Sequence, residues 1–363
     1  MSGARQLLRL QKPFAMRRGG ALIDANLAYE TWGELSPAHD NAVLLFTGLS
    51  PSAHATSSAD DPSPGWWEQI VGPGRAIDTS RYFVVCVNSL GSCFGSTGPA
   101  SLNPSTGERY GLTFPVLSIE DIAAGGAALL DHLRIERLHT VLGCSMGGLT
   151  ALAFAMMFPQ RSAGLVSVSS GARARPFAIA LRSLQREMIR RDPAWQDGNY
   201  NPGHGPIEDM RLARKLGMIT YRSAKEWDQR FGRERVATEH APGDLFCLDF
   251  EVESYLEAHA AKFTGQFDAN CYLYLSRAMD LFDIAEHGGT VEHGLARVEA
   301  ERALVVGVET DFLFPIELQG QLAEGLRPHV RDVVFVSLDS LQGHDAFLVD
   351  IDRFRPVFAQ YFA

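Results

Sequence analysis

A serine between two glycines is the residue in this sequence with the clearest chemical potential. Residues 143–147 read Gly-Cys-Ser-Met-Gly, with Ser145 at the centre. The mostly apolar run 138–142 indicates a buried strand before this motif, and the Ala-, Leu- and Met-rich run 149–158 favours a helix after it. At a tight strand–helix turn, glycines give the backbone room, and the serine hydroxyl is presented at the positive end of the helix. We therefore expect Ser145 to be a nucleophile; the alternative is a glycine-rich corner without chemistry.

Two loops late in the chain carry the partners that such a serine needs. A hydroxyl becomes nucleophilic when a neutral imidazole accepts its proton, and a carboxylate on the other ring nitrogen holds that imidazole in place. Asp311 follows the apolar run 303–308, and His344 follows the run 333–338. The chain order Ser145, Asp311, His344 is the order found in α/β-hydrolase triads, so the sequence predicts a catalytic triad. Three acids on the same loops are weaker candidates for the acid role: Glu309, Asp339 and Asp345.

The frame that must position this triad can be read from alternating strand and helix patterns. Short apolar runs at 42–47, 82–87 and 165–169 are typical of strands covered on both faces. Residues 118–134 have the pattern of a capped helix. Such alternation predicts a mostly parallel sheet with helices on both faces. Residues 20–34 alternate in polarity and predict a β-hairpin with a central turn.

The segment from 173 to 295 differs because it carries helical patterns and no convincing strand. Helices are predicted at 176–190, 207–216, 223–230, 249–263 and 267–286, with a loop around Pro242. Strand patterns return afterwards, and the chain closes with a helical pattern. We therefore predict an α/β-hydrolase fold with two parts. Residues 1–172 and 296–363 form the core, and residues 173–295 form an inserted all-helical lid.

The bulk composition limits the kinds of partner. The chain has 363 residues, a formal net charge of −10 and no long basic run, which argues against a general role with nucleic acid. Its five cysteines are scattered without the spacing of a metal site, so reduced thiols are the expected state. No stretch has signal-peptide character or approaches the roughly 20 apolar residues that span a bilayer. These features predict a cytoplasmic protein with small-molecule substrates and with no bound metal, nucleic-acid partner or membrane.

Several longer stretches resemble the homoserine O-acetyltransferase family, the α/β-hydrolase-fold acyltransferases of methionine and cysteine biosynthesis. The similar stretches run through most of the chain and lie at 65–79, 81–101, 143–148, 213–221, 267–283, 310–315 and 342–347. The resemblance implies that Ser145 is the nucleophile, Asp311 the acid and His344 the base. It also implies an acyl-CoA co-substrate, no bound cofactor, and a homodimer formed through the helical insertion.

The same resemblance implies roles for residues outside the triad. The backbone N–H groups of Leu49 and Met146 fall on the family's oxyanion-hole positions, which stabilise the negative oxygen of an acyl-transfer intermediate. Arg214 and Tyr221 fall on positions that orient the amino-acid substrate, and Asp345 falls on a further substrate contact. These assignments depend on the family's motifs and not on the spacing of the residues alone.

Two departures from the common family pattern bear on the substrate. The loop Gly48-Leu49-Ser50-Pro51 replaces the usual Ala-Leu-Ser/Thr-Gly, and Arg182 stands where many relatives have a neutral residue. Both features resemble the subgroup of serine O-succinyltransferases. A loop stiffened by Pro51 would suit a shorter amino acid, and a guanidinium at position 182 would bind the distal carboxylate of succinyl, which acetyl lacks. The alternative for Arg182 is a solvated helix face shared with three other arginines: Arg186, Arg190 and Arg191.

The predicted reaction is an acyl transfer in two steps through an acylated Ser145. His344 would deprotonate Ser145, which attacks the thioester of an acyl-CoA, and the hydroxyl of a small amino acid would then take the acyl group. The favoured substrates are L-serine and succinyl-CoA. Homoserine with acetyl-CoA ranks second, and serine with acetyl-CoA ranks third. A simple esterase and a non-enzymatic binding protein on the same scaffold are the alternatives from other classes.

Overall fold

An eight-stranded sheet forms the centre of the fold. The computed structural model describes residues 4–237 and 246–363. The strands of these residues are β1 (Gln6–Arg9), β2 (Phe14–Ala15), β3 (Ala21–Leu22), β4 (Asn26–Trp32), β5 (Ala42–Phe46), β6 (Val71–Gly72), β7 (Ile77–Asp78), β8 (Phe83–Val87), β9 (Thr140–Cys144), β10 (Gly164–Val168), β11 (Arg302–Val308) and β12 (Asp332–Leu338). The large sheet has the order β1-β4-β8-β5-β9-β10-β11-β12, while β2 with β3 and β6 with β7 form two small sheets.

Most of the large sheet is parallel. β1 pairs antiparallel with β4, and β4 pairs antiparallel with β8. From β8 through β5, β9, β10 and β11 to β12, every neighbouring pair is parallel. All residues of β5, β9 and β10 are buried, as expected for strands whose two faces are both covered. The predicted α/β-hydrolase fold with a mostly parallel sheet is confirmed.

Helices connect the strands. They are α1 (Ile119–His132), α2 (Met146–Met157), α3 (Pro176–Arg191), α4 (Ile207–Tyr221), α5 (Ala224–Phe231), α6 (Glu251–Phe263), α7 (Ala269–Leu281), α8 (Val291–Leu295), α9 (Ile316–Leu326), α10 (Ala346–Val349) and α11 (Ile351–Tyr361). α1 begins where the sequence predicted, because Ser118 and Asp121 form a capping box. The Ser118 hydroxyl accepts from the Asp121 N–H, and the Asp121 carboxylate accepts from the Ser118 N–H at 2.8 Å.

The core lies on both faces of the sheet. In β5, Leu44 and Phe46 belong to one apolar cluster, and Val43 and Leu45 belong to the other, so successive side chains point to opposite faces. The first cluster includes the buried side chains of α1 and α2. The second includes Trp67 and the α11 phenylalanines. Helical layers on both sides therefore hold the sheet between them.

The predicted hairpin at 20–34 is wrong. β3 pairs with β2, whereas β4 joins the large sheet between β1 and β8. Asp24 lies between β3 and β4 with a φ of 50°, and its carboxylate pairs with Arg9 at 2.7 Å. The alternating polarity correctly indicated extended chain, but polarity alone does not select the partner of a strand. The chain therefore leaves a small sheet and enters the large one at this turn.

The described residues between β10 and β11 are helices and loops apart from single bridge pairs. The helices α3 to α7 lie close to the five predicted positions, whereas α8 was not predicted. The two ends of the segment meet, because Arg173 forms an antiparallel bridge with Asp283 and Ala172 accepts from the Ile284 N–H at 3.1 Å. The predicted loop at Pro242 lies outside the described residues. A lid domain with boundaries at 173 and 295 stays a prediction. We call residues 173–295 the helical insertion.

Candidate active site

Ser145 occupies a strained turn between β9 and α2. Its φ and ψ are 56° and −121°, a backbone conformation that non-glycine residues rarely adopt. Glycines on both sides make this turn possible. A Cβ on Gly143 would lie 2.0 Å from the Gly147 carbonyl oxygen, and a Cβ on Gly147 would lie 2.3 Å from the Phe46 carbonyl oxygen. The turn thus fixes the serine hydroxyl at the start of a helix and at the carboxyl end of a central strand.

The three predicted triad residues are in contact. The Ser145 hydroxyl lies 2.8 Å from His344 Nε2, and His344 Nδ1 lies 2.8 Å from Asp311 Oδ2. In the neutral imidazole, Nδ1–H donates to the carboxylate and Nε2 accepts from the serine hydroxyl. The other carboxylate oxygen of Asp311 accepts from the N–H groups of Leu313 and Phe314, both at 3.0 Å. Each member is therefore oriented by the next, which is the arrangement that activates a serine.

Burial and charge act in opposite directions on His344. Desolvation of the imidazole would lower its pKa, but the charge of Asp311 and the hydrogen bond to it outweigh this effect. The pKa of His344 is consequently raised above its usual value. The positive charge of Arg182 acts weakly against this raise. A base with a raised pKa accepts the serine proton more readily but becomes protonated earlier as the pH falls.

A cavity opens beside the Ser145 hydroxyl. The sheet side supplies Ser145, His344 and the loop after β5, and the helical insertion supplies residues of α3, α4 and α7. The residues predicted to bind the substrates or to set specificity all line this cavity: Gly48, Leu49, Ser50, Pro51, Arg182, Arg214, Tyr221 and Asp345. Almost all of the residues singled out from the sequence therefore meet around one space.

The two proposed oxyanion donors lie at the sheet side. Met146 is the first residue of α2, so its N–H lies in the first turn, where N–H groups have no acceptor within the helix. Leu49 lies in the loop after β5, and this loop lines the cavity. The Met146 side chain is buried, so only its backbone is available for such a role. Their assignment as an oxyanion hole stays a prediction.

Arg214 is a cation in the cavity without a carboxylate partner among the described residues. Its guanidinium carbon lies 4.6 Å from the Phe263 ring centre and 5.7 Å from the Tyr221 ring centre. Its Nε is buried and has no hydrogen-bond partner. Two aromatic rings thus flank this arginine, and its guanidinium forms no ion pair within the part of the chain that the structure describes.

Asp345 lies beside the catalytic histidine in sequence and also lines the cavity. Its carboxylate lies 3.7 Å from the Arg222 Nε, and its side chain is one-quarter exposed. Burial raises the pKa of Asp345, although the positive charges of Arg222, His344 and Arg214 act against the raise. An ionised Asp345 would offer an oxygen to a cationic group bound in the cavity.

Arg182 does not belong to a solvated helix face. Its side chain is 9% exposed, and its Nε donates to Asp280 at 2.6 Å. Arg186, one helical turn later, pairs with the other oxygen of Asp280 at 2.6 Å. The alternative of a solvated helix face fits only the C-terminal end of α3, where Arg191 is exposed and pairs with Glu187. The helix therefore turns Arg182 inward and Arg191 outward.

Some residues of the site were not predicted from the sequence. Asp280 joins two arginines from a different helix, and Trp66 lines the cavity from the loop before β6. His54 holds the loop after β5, since its ring nitrogens lie 2.8 Å from the Glu30 carboxylate and 2.8 Å from the Ser63 carbonyl oxygen. For Asp280 the sequence held one signal, a single acid within the apolar stretch Ala-Met-Asp-Leu-Phe.

Comparison with known proteins identifies the fold family. A family described as "alpha/beta hydrolase fold" matches residues 41–350. The chain belongs to the α/β-hydrolase family. A serine O-succinyltransferase of Litchfieldella anticariensis is 57% identical over 364 residues, which cover 100% of this chain and 99% of the relative. The chain is an O-acyltransferase of this family.

Two solved structures extend the comparison. A homoserine O-acetyltransferase from Bacillus anthracis superposes with a TM-score of 0.91 at 27% identity, covering 99% of this chain and 97% of that one. The esterase E22 superposes with a TM-score of 0.89 at 29% identity, covering 99% of each chain. Transferases and hydrolases therefore share this architecture, so the lining of the cavity must decide which acceptor receives the acyl group.

Within residues 4–237 and 246–363, no group of three or more His, Cys, Asp or Glu residues is arranged to hold a metal ion. The same residues contain no helix whose length and apolar character would let it cross a membrane.

Proposed function

We propose that this enzyme transfers a succinyl group from succinyl-CoA to the side-chain hydroxyl of L-serine. The observation that carries the proposal is Arg182, a buried arginine that lines the same cavity as the paired Ser145 and His344. A guanidinium recognises a carboxylate through two parallel hydrogen bonds, and succinyl carries a distal carboxylate that acetyl lacks. The name of the relative at 57% identity supports the same pair of substrates.

The first half of the reaction loads the enzyme. Ser145 attacks the thioester carbonyl as its proton passes to His344 Nε2, and the N–H groups of Leu49 and Met146 would hold the resulting oxyanion. Loss of one such donor costs about 3–4 kcal/mol of transition-state stabilisation in a well-studied protease. The carbon–sulfur bond then breaks, and His344 returns the proton to the leaving thiolate. Coenzyme A departs, and succinyl remains on Ser145 as an ester.

The second half transfers the acyl group. The serine substrate binds with its α-carboxylate on Arg214, whose charge lacks a carboxylate partner among the described residues, and its α-ammonium near Asp345. His344 removes the proton of the substrate hydroxyl, which attacks the succinyl carbonyl and displaces Ser145. The proton then returns to Ser145. The products are O-succinyl-L-serine and coenzyme A, and the enzyme is regenerated.

Acceptor selection is assigned to the loop Gly48-Leu49-Ser50-Pro51. This loop lines the cavity and is tied to its surroundings, because the Pro51 carbonyl accepts from Asn88 Nδ2 at 3.3 Å. The ion pair of His54 with the buried Glu30 holds the next part of the chain. Burial would lower the pKa of His54, but Glu30 and the Ser63 carbonyl raise it overall. A rigid loop of this kind favours a short acceptor over one with an additional methylene.

Hydrolysis is the second candidate, and the similarity to the esterase E22 favours it. An esterase would use the same triad but would give the acyl group to water. The cavity offers two groups that water does not need, namely Arg214 and Asp345. We therefore place amino-acid transfer ahead of hydrolysis.

A two-by-two assay tests the proposal. Serine or homoserine is mixed with succinyl-CoA or acetyl-CoA, thiol release is followed, and the acylated amino acid is identified by mass spectrometry. The expected result is the highest kcat/KM for serine with succinyl-CoA. Faster turnover with acetyl-CoA would refute the donor assignment, and thiol release that is independent of any amino acid would favour the esterase.

The covalent route has its own test. Rapid mixing with succinyl-CoA in the absence of serine is expected to give an adduct of one succinyl group on Ser145 in the intact mass and in the peptide map. Ser145→Ala should show none. A wild-type enzyme that turns over without ever forming the adduct would replace the two-step route with direct transfer.

We further expect a cytoplasmic homodimer formed through the helical insertion. Exposed apolar side chains on α3 and α4 support this surface, since Phe177, Leu184, Leu212 and Ile219 are each between 45% and 57% exposed. Light scattering coupled to size exclusion measures the mass in solution. A monomer at micromolar concentration would contradict the assignment, and Leu212→Glu should dissociate a dimer that uses this face.

A further inference from the structure

A buried carboxylate on α7 contacts two arginines of α3, one of which lines the cavity. Asp280 has a side chain that is 2% exposed, and it pairs with two cations of α3. Arg182 Nε contacts one oxygen at 2.6 Å, and Arg186 Nη2 contacts the other at 2.6 Å. Arg186 also donates to the Ser276 hydroxyl at 2.9 Å. The two helices are thus joined by one shared acid.

The charges in this cluster do not balance. Two guanidinium groups share one carboxylate, and no other carboxylate among the described residues pairs with either arginine. One positive charge is therefore left over in a largely buried place. Uncompensated charge is costly in such a place unless a counter-charge arrives. Because Arg182 lines the cavity, the missing counter-charge can enter from there.

The hydrogen bond to Asp280 determines which guanidinium nitrogens of Arg182 remain available to a ligand. The hydrogen bond uses Nε, the inner nitrogen of the guanidinium. Within the part of the chain that the structure describes, neither terminal nitrogen of Arg182 has a hydrogen bond. Arg186, in contrast, has both terminal nitrogens engaged, because Nη1 donates a hydrogen bond to Ser276 and Nη2 forms the ion pair with Asp280. Of the two arginines, only Arg182 keeps the forked edge that receives a carboxylate with two parallel bonds.

We propose that Asp280 is a positioning residue that fixes the Arg182 guanidinium so that its two terminal nitrogens receive the distal carboxylate of the acyl donor. This inference rests on the proposed function, because it assumes a donor with that carboxylate. Arg186 supports this arrangement, because its ion pair keeps Asp280 in place between α3 and α7. A flexible arginine alone would sample many rotamers, whereas the buried bond to Asp280 fixes one of them before the donor binds.

The test compares two donors in four proteins: the wild type, Asp280→Asn, Arg182→Met and the double variant. Asp280→Asn keeps the size of the side chain and removes its charge. Its KM for succinyl-CoA is expected to rise roughly tenfold or more, the loss expected when a charge-assisted hydrogen bond is disturbed. Its kcat with succinyl-CoA and its kinetics with acetyl-CoA are expected to change less than twofold. The double variant is expected to match Arg182→Met, because Asp280 acts through Arg182.

Three results would overturn the inference. Asp280→Asn could leave the KM for succinyl-CoA unchanged, it could weaken both donors equally as a purely structural residue would, or its effect could add to that of Arg182→Met. Glu187→Gln is the matched control, since Glu187 lies on the same helix as Arg182 but is exposed and pairs with Arg191. It should match the wild type with both donors.

A second variant covers the case in which Asp280→Asn does not fold. Asp280→Glu keeps the charge but adds one methylene, so it pushes Arg182 toward the cavity. Its preference for succinyl-CoA over acetyl-CoA is expected to fall while turnover of acetyl-CoA persists, and an unchanged preference would overturn the inference. A wild-type enzyme that prefers acetyl-CoA would instead refute the proposed function, whatever the Asp280 variants do.

Discussion

The sheet side and the helical side of the cavity are built on different principles. On the sheet side, Ser145, His344 and Asp311 bond in series, and the outer oxygen of Asp311 is bound by backbone N–H groups. On the helical side, Arg214 has no carboxylate partner among the described residues, and Arg182 shares one with Arg186. One side is electrostatically complete before the substrates arrive, and the other is incomplete. We therefore expect bond making and breaking at the first side and recognition of the substrates' carboxylates at the second.

Removing the nucleophile gives the largest expected effect and tests the sheet side directly. Ser145→Ala should lower kcat by about 10⁴-fold or more, because it removes the hydroxyl that contacts His344 Nε2. Steady-state thiol release with serine and succinyl-CoA measures this loss, and circular dichroism verifies the fold. Turnover within tenfold of the wild type would end the assignment of Ser145.

Asp311→Asn should reduce kcat by about 10³–10⁴-fold, since the imidazole loses the partner that fixes its tautomer. It should also change the pH profile. The wild type loses activity as the pH falls through the raised pKa of His344, because the protonated imidazole cannot accept the serine proton. Without the Asp311 charge this pKa falls, so the acidic limb of kcat/KM should move to lower pH.

The profile of the residual Asp311→Asn activity is the measurement, and the pH-stability range of both proteins is the control. An acidic limb that stays in place or moves to higher pH would show that another group governs it.

Arg214→Met tests the helical side at the acceptor. The KM for serine should rise by about 10- to 100-fold, as expected for the loss of a charged hydrogen bond. The rapid first release of thiol from succinyl-CoA should persist, because acylation does not involve the amino acid. Stopped-flow thiol detection separates the two steps. Equal losses in both steps would indicate that Arg214 supports the fold and not the acceptor.

The smallest effect is expected at the exposed end of α3. Arg191 is 78% exposed and pairs with Glu187, so Arg191→Gln should change the free energy of unfolding by less than about 0.5 kcal/mol. Both KM values should stay at the wild-type level. Urea denaturation and the two-donor assay measure this. A clear change in donor preference would contradict the division of α3 into an inward and an outward face.

The triad could be predicted from the sequence because its signals are local. A glycine-flanked serine between a strand and a helix, and two titratable residues after apolar strands, carry their own context. The family resemblance then placed Arg214, Tyr221 and Asp345, which all line the cavity. The parallel sheet followed from alternating strand and helix patterns for the same local reasons.

The features that the sequence did not reveal depend on distant partners. Asp280 meets Arg182 across 98 positions of the chain, and no local pattern encodes that contact. The strand partners of β3 and β4 were likewise non-local, which is why the hairpin prediction failed. α9 was not predicted; its sequence holds two glycines, which weaken the helical pattern, and packing against the sheet supports it instead.

The separation of Ser145 from His344 by 199 positions also orders events during synthesis. A ribosome must translate the nucleophile turn, the whole helical insertion and the last strand of the sheet before the base exists. Until then Ser145 lacks the imidazole that contacts it in the folded protein, so we expect a nascent chain not to react with thioesters. We therefore expect the chain to be inactive until its synthesis has passed His344 and the two loops have come together.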